Sequence, residues 1–134
     1  MNKKSLNIFV IEDEFAARTK MVAMLSQYGK CGYAESGVKA INRIKAAIQD
    51  QHYFDLITID IQLPDYNGID LLADILAEEA RGEVCAKKIM VTASSTPENV
   101  SRAAHNRCDD FLVKPVKRAV LLDRLIKLGI IDKF

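Results

Sequence analysis

The sequence predicts an α/β fold: a doubly wound, five-stranded parallel sheet of order 2-1-3-4-5 with five helices. Three observations carry this. Short apolar runs rich in strand formers alternate with longer stretches of helical periodicity. The strand-like runs are apolar almost throughout, as strands covered on both faces are, instead of alternating with polar residues. Acids, a hydroxyl and a lysine fall just after these runs, at the carboxyl edge where open parallel sheets place their sites.

Each element has a local reason. "LNIFVI" (6–11) is a short apolar strand. "FAARTKMVAMLSQYG" (15–29) puts Met21, Val22, Leu25 and Tyr28 on one helical face, with Gly29 as its stop. "CGYAES" (31–36) is a weaker strand. "GVKAINRIKAAIQD" (37–50) carries the stripe Val38, Ile41, Ile44, Ile48. "FDLITI" (54–59) is the second strong strand, and "NGIDLLADILAEEARG" (67–82) a helix with Ile69, Leu72, Ile75 and Leu76 inward. "KKIMVTA" (87–93) is the next strand. Thr96 and Pro97 then read as N-cap and first helical residue of "PENVSRAAHNRC". That helix has only Val100, Ala103 and Ala104 to bury, so weak anchoring is expected. "DFLVK" (110–114) is the last strand, and "KRAVLLDRLIKLG" (117–129) closes the chain on Leu121, Leu122, Leu125 and Leu128.

The 134 residues fit one domain spanning 1–134, with no effector domain expected after Phe134. A net charge of +1 gives no field to recruit nucleic acid or anionic membrane. No apolar run approaches the roughly 20 residues of a membrane span, and the basic start runs quickly into acids, unlike a secretory signal. Three cysteines without a C-x-x-C pair point away from disulfides and towards a cytoplasmic location. Neither Gly-rich phosphate-loop pattern occurs, which argues against a dinucleotide or nucleoside-triphosphate site.

The strand ends hold the chemistry. The first is followed by Glu12, Asp13 and Glu14, the third by Asp60. The fourth ends at Thr92, before Ala93, Ser94 and Ser95, and the fifth at Lys114, before Pro115. Carboxylates crowded at adjacent strand ends repel one another and are best accommodated around a hard divalent cation such as Mg²⁺. A lysine as a point charge for a phosphoryl oxygen and a hydroxyl donor complete a set suited to phosphoryl transfer. Asp60 is the carboxylate that would serve as nucleophile and become an acyl phosphate. Singly, each group has an ordinary role: a turn acid, a helix-dipole acid, a β-forming threonine, a solvated lysine. The signal is their conjunction.

That conjunction resembles the receiver domain of two-component response regulators, a CheY-like, flavodoxin-like family, over essentially the whole chain. "EDEFAAR" is similar to its acidic pair (Glu12, Asp13) with the downstream Arg18; "DIQLPDYNG" to its phospho-acceptor motif with Asp60, Pro64 and Gly68. "MVTA" supplies Thr92, and "DDFLVKP" supplies Phe111, Lys114 and Pro115. The resemblance implies that a histidine kinase or histidine phosphotransfer protein donates phosphate to Asp60 with Mg²⁺ (or Mn²⁺). Asp13, Asp60 and the Gln62 carbonyl would be direct ligands, with Glu12 acting through water. Lys114 would pair with the phosphoryl group, Thr92 would close on it, Phe111 would swing into the vacated space, and Gln62 and Ser94 would flank it. It also implies a cis Lys114-Pro115 bond and output through the fourth helix, fifth strand and fifth helix, by protein binding or onward transfer. Departures from the common pattern are Leu63 and Tyr66 where methionine is frequent, Arg107-Cys108 for Gly-Ala, and Val116 for Phe.

Two rivals use similar groups. A haloacid-dehalogenase-type phosphohydrolase also needs an Asp nucleophile, a hydroxyl, a lysine and Mg²⁺. Its nucleophile lies on the first strand with a second Asp two residues on; here Gln62 holds that place and the acidic pair precedes the lysine. A receiver-like binding module that is never phosphorylated would lack part of the set.

Overall fold

Leu56 to Asp60 is buried at every residue, as the central strand of a two-faced sheet must be. The computed structural model describes residues 5–93 and 96–132. In chain order the elements are β1 (Leu6–Ile11), α1 (Phe15–Leu25), β2 (Gly29–Ala34), α2 (Gly37–Gln49) and β3 (Leu56–Asp60). Then follow α3 (Gly68–Gly82), β4 (Lys87–Thr92), α4 (Pro97–His105), β5 (Asp110–Val113) and α5 (Arg118–Lys127). All pairings are parallel and the order is β2-β1-β3-β4-β5, as the alternation of periods implies.

Strand alternation divides the core in two. Phe9, Ile11, Ile57 and Ile59 face Ala40 and Ile44 of α2, Ile69, Leu72 and Ile75 of α3, and Ala103 of α4. Ile8, Val10 and Leu56 point the other way, onto Met21, Met24 and Leu25 of α1 and Leu121 and Leu125 of α5. Side-chain caps fix three helix starts. Ser36 Oγ accepts from Lys39 N at 3.2 Å, Asn67 Oδ1 from Ile69 N at 2.8 Å, and Thr96 Oγ1 from Asn99 N at 3.1 Å. Each cap is worth about 1 kcal/mol.

The structure departs from the sequence reading in places. The first helix ends at Leu25, where the Ser26 hydroxyl donates to Val22 O at 2.5 Å, and Gly29 is not its stop. Gly29 instead opens β2 opposite Leu6, so the second strand starts early enough to pair with the whole of β1. In α2 the inward line is Gly37, Ala40, Ile44, while Val38 is 53% exposed. Ile41 and Ile48 also pack on the core as the stripe predicts, and Tyr66 of the loop after β3 covers Gly37. α4 is thinner than its sequence indicates: only Ala103 is buried, and Val100 and Ala104 are exposed. Arg107, after α4, has a φ of 68°, in the left-handed region where a glycine would be at ease. Among the described residues no helix is long and apolar enough to cross a membrane.

Candidate functional site

Register brings the candidate residues together. Ile11 pairs with Ile59, so Glu12 and Asp60 leave neighbouring strands at one level. Asp60 pairs with Val91, one residue before Thr92, and Thr92 pairs with Val113, one residue before Lys114. Four segments distant in sequence thus end at one edge because their strands start in step.

Lys114 Nζ lies 3.1 Å from Asp60 Oδ2 and also forms an ion pair with Glu12. The other Asp60 oxygen, Oδ1, accepts from Gln62 N at 3.0 Å, which fixes the carboxylate plane. Glu14 N donates to Glu12 Oε2 at 3.2 Å. One oxygen from each of Glu12, Asp13 and Asp60 lies within 4.8 Å of the others. Glu12 and Asp60 are buried and Asp13 is exposed, so the cluster opens to solvent on one side. It lines a cleft of about 400 Å³ that also includes Gln62, Pro64 and Ala93. Behind it, Arg18 Nη1 donates to the carbonyls of Glu12 and Asp13, each at 3.3 Å. Its guanidinium lies between the exposed rings of Phe15 and Tyr33, 5.5 Å and 4.9 Å from their centroids.

The electrostatics follow from burial and crowding. Burial raises the Glu12 carboxyl to about 7; its contact with Asp60 adds to this and Lys114 opposes it. Burial works against the charged Lys114, but hydrogen bonds to Glu12 and Asp60 outweigh it, and its pKa is raised. Two acids thus contact the lysine, and Asp13 lies beside them. Their clustered oxygens are hard donors beside an open cleft, a set that fits a divalent cation of the Mg²⁺ class.

The remaining candidates fall nearby. Thr92 is fully buried, and its carbonyl accepts from Lys114 N at 2.8 Å, tying the two strand ends. Phe111, opposite Met90, is half-buried against the core under α2, α3 and α4. By alternation it shares a face with Val113 and hence with Thr92, which pairs with Val113. The Lys114-Pro115 bond is cis. Val116 is buried against Leu121 and Leu125. Ser94 lies outside the described residues.

Sequence reasoning passed over the residues that hold the loop after β3. Asp65 accepts from Gly37 N at 2.8 Å and Val38 N at 3.0 Å, at the start of α2. Tyr66 packs over Gly37, where a Cβ would come within 2.6 Å of Tyr66 Cβ. Gly68 is needed for close approach, since a Cβ there would meet Ile61 Cα at 2.7 Å. Gly68 and Tyr66 stand out in the sequence, but Asp65 left no trace, because its contact with Gly37 joins segments 28 residues apart.

A 2-1-3-4-5 sheet with an acid pair, an aspartate, a threonine and a lysine at one edge defines a receiver-type domain of two-component signalling. Comparison with known proteins agrees: the response regulator receiver domain family matches residues 8–126, and the chain belongs to that family. It is 29% identical over 124 residues to chemotaxis protein CheY of Listeria monocytogenes, covering 91% of this chain and 97% of that protein. It is 28% identical over 127 residues to the sensory/regulatory protein RpfC of Xanthomonas campestris, covering 95% of this chain. The match spans only 17% of RpfC, so the chain corresponds to a small part of that protein. The receiver domain of the sensor histidine kinase PA1611 from Pseudomonas aeruginosa superposes with a TM-score of 0.77 at 26% identity. That match covers 92% of this chain and 97% of the other, whose active-site cleft holds a magnesium ion.

Proposed function

We propose that this receiver domain is a phosphorylation-dependent regulatory protein of the cytoplasm, with Asp60 as phospho-acceptor. Its donor is a phosphohistidine on a sensor histidine kinase or a histidine phosphotransfer protein. The P–N bond of the donor breaks as a P–O bond to Asp60 forms, leaving an acyl phosphate on this chain and a free imidazole on the donor. Asp13, Asp60 and the Gln62 carbonyl would hold Mg²⁺ (or Mn²⁺) directly, with Glu12 through water. When bound, the ion neutralises charge on the phosphoryl oxygens.

Lys114 supplies a positive charge beside Asp60 Oδ2, and Gln62 N donates to Oδ1, which holds the carboxylate. After transfer Lys114 pairs with the phosphoryl group and Thr92 donates its hydroxyl to it. Phe111, now half-buried, moves into the space that Thr92 leaves. The receiving face is α4, β5 and α5, where α4 is held by one buried residue and so moves at small cost. Output is the binding of a downstream protein, without direct contact to nucleic acid or membrane. The domain promotes only its own phosphorylation and dephosphorylation and turns over no other substrate.

One observation carries this reading: Lys114 Nζ sits 3.1 Å from Asp60 Oδ2, beside three carboxylates grouped within 4.8 Å. The test is incubation with phosphoramidate or acetyl phosphate and Mg²⁺, followed by intact mass. Wild type is expected to gain one phosphoryl group and Asp60→Asn none. Equal labelling of the two proteins, or none of either, overturns it. Turnover of p-nitrophenyl phosphate would instead mark a hydrolase.

A further inference from the structure

We propose that Asp65 is a positioning residue that clamps the phospho-acceptor loop to the start of α2 and thereby holds the Gln62 carbonyl for the cation. The inference rests on the functional reading above and extends it to a residue that never touches the reacting atoms.

The loop from Ile61 to Asn67 has to hold one backbone carbonyl in place while its neighbour Asp60 reacts. A loop of that length wanders unless something fixes it. Its own ends supply part of the restraint: Gly68 N donates to Ile61 O at 2.7 Å, and Gln62 and Asn67 form an antiparallel bridge. This closes the base. The outer limb is held from a different part of the chain. Both Asp65 carboxylate oxygens are used, Oδ1 by Gly37 N and Oδ2 by Val38 N. These are amides of the first turn of α2, which have no partner within the helix. A carboxylate there also meets the positive end of the helix dipole.

Tyr66 completes the clamp. It lies over Gly37, where any larger residue would collide with its Cβ and Cγ at 2.6 and 2.7 Å, and its hydroxyl hydrogen-bonds Asp74 of α3. The loop is thus pinned to α2 by Asp65 and to α3 by Tyr66. Those helices cover the same sheet face, so the loop takes its position from the rigid part of the domain. Ser36 already caps α2 through Lys39 N. The helix start therefore has a local cap of its own, and Asp65 adds a tie from two further amides to the loop.

The strength of such a clamp bounds its effect. A cap-type interaction changes an equilibrium by about fivefold to tenfold, and a positioning residue cannot alter cation affinity by more than that. The experiment compares wild type, Asp65→Ala and Asp65→Asn. Mg²⁺ affinity is read by NMR titration, amide exchange at Gly37 and Val38 by hydrogen exchange, and labelling by phosphoramidate across Mg²⁺ concentrations. For Asp65→Ala we expect Mg²⁺ binding weakened about fivefold, with the labelling rate at saturating Mg²⁺ close to wild type. Asparagine keeps an acceptor oxygen and should recover part of the affinity. In wild type, Mg²⁺ should slow exchange at Gly37 and Val38; in Asp65→Ala it should not. Unchanged Mg²⁺ affinity in Asp65→Ala, with faster Gly37 exchange, overturns the proposal and leaves Asp60 as acceptor intact. Failure of wild type to take phosphate overturns the functional reading, while the Mg²⁺ and exchange measurements still decide the clamp.

Discussion

Two lysines at opposite ends of the sheet meet carboxylates in opposite ways. Lys88, at the amino end of β4, is sealed: its side chain is 1% exposed and its Nζ lies 2.5 Å from Glu79 Oε1 and from Ala86 O. Glu79 Oε2 accepts from Ala86 N at 2.8 Å. One positive charge meets one negative charge, and Ala86 N, Ala86 O and the Cys85 thiol take further bonds. Lys114, at the carboxyl end, is 24% exposed and faces Glu12 and Asp60, with Asp13 close by. The first arrangement is closed and ties α3 to the sheet. The second has surplus negative charge and an open side. In this molecule the sealed, charge-balanced pair serves the fold, and the open, unbalanced group forms the candidate site.

Cutting the sealed pair should have the largest effect. Lys88→Ala leaves the Glu79 carboxylate buried without its counter-charge and is expected to cost about 3–5 kcal/mol in urea unfolding. A loss under about 1 kcal/mol would erase the contrast. Next comes removal of both charges: Lys88→Met with Glu79→Leu discards the ion pair but orphans Ala86 N, so a loss of about 1–3 kcal/mol is expected. The open pair should matter less to stability. Lys114→Ala is expected to cost about 1 kcal/mol or less, because water reaches the site and Glu12 can take up a proton. The same variant should be labelled by phosphoramidate far more slowly than wild type.

The smallest effect is on pH dependence. Glu12 is raised from 4.5 to about 7 in the folded chain, chiefly by burial and then by Asp60, so the folded state holds that proton more tightly. Its contribution to stability is complete below pH 4.5 and is lost by about pH 7. Without divalent cations, the Tm of wild type minus that of Glu12→Gln should fall by a few degrees over this interval. Mg²⁺ affinity should rise across the same window, since the cation requires the deprotonated acid. A flat difference would mean that Glu12 is not the buried acid described here.

The carboxyl edge of the sheet was legible because its candidate residues follow apolar runs. Asp60 and Lys114 are conspicuous after "LITI" and "DFLV", and parallel strands place such ends side by side. Lys88 carried no such mark. In "KKIMVTA" it reads as the solvated start of a strand, yet it is among the most buried side chains, because Glu79 in "AEEARG" waits for it. Asp65 was equally silent, an acid in a turn-forming stretch, until α2 came within reach. In α2 the stripe Ile41, Ile44 and Ile48 does pack on the core, and only Val38 turns out, where Gly37 lies under Tyr66.

The sequence by itself determined the alternation of periods, hence the sheet order, and the residue types at the strand ends, hence the chemistry. These are local properties, since backbone propensity and hydrophobic period act over a few residues. Only the tertiary structure decided which acids meet which lysine, which charges are sealed, and what holds the loop after β3. Those depend on distances between segments far apart in the chain, and Coulomb and hydrogen-bond energies are set by such distances and by the water excluded around them.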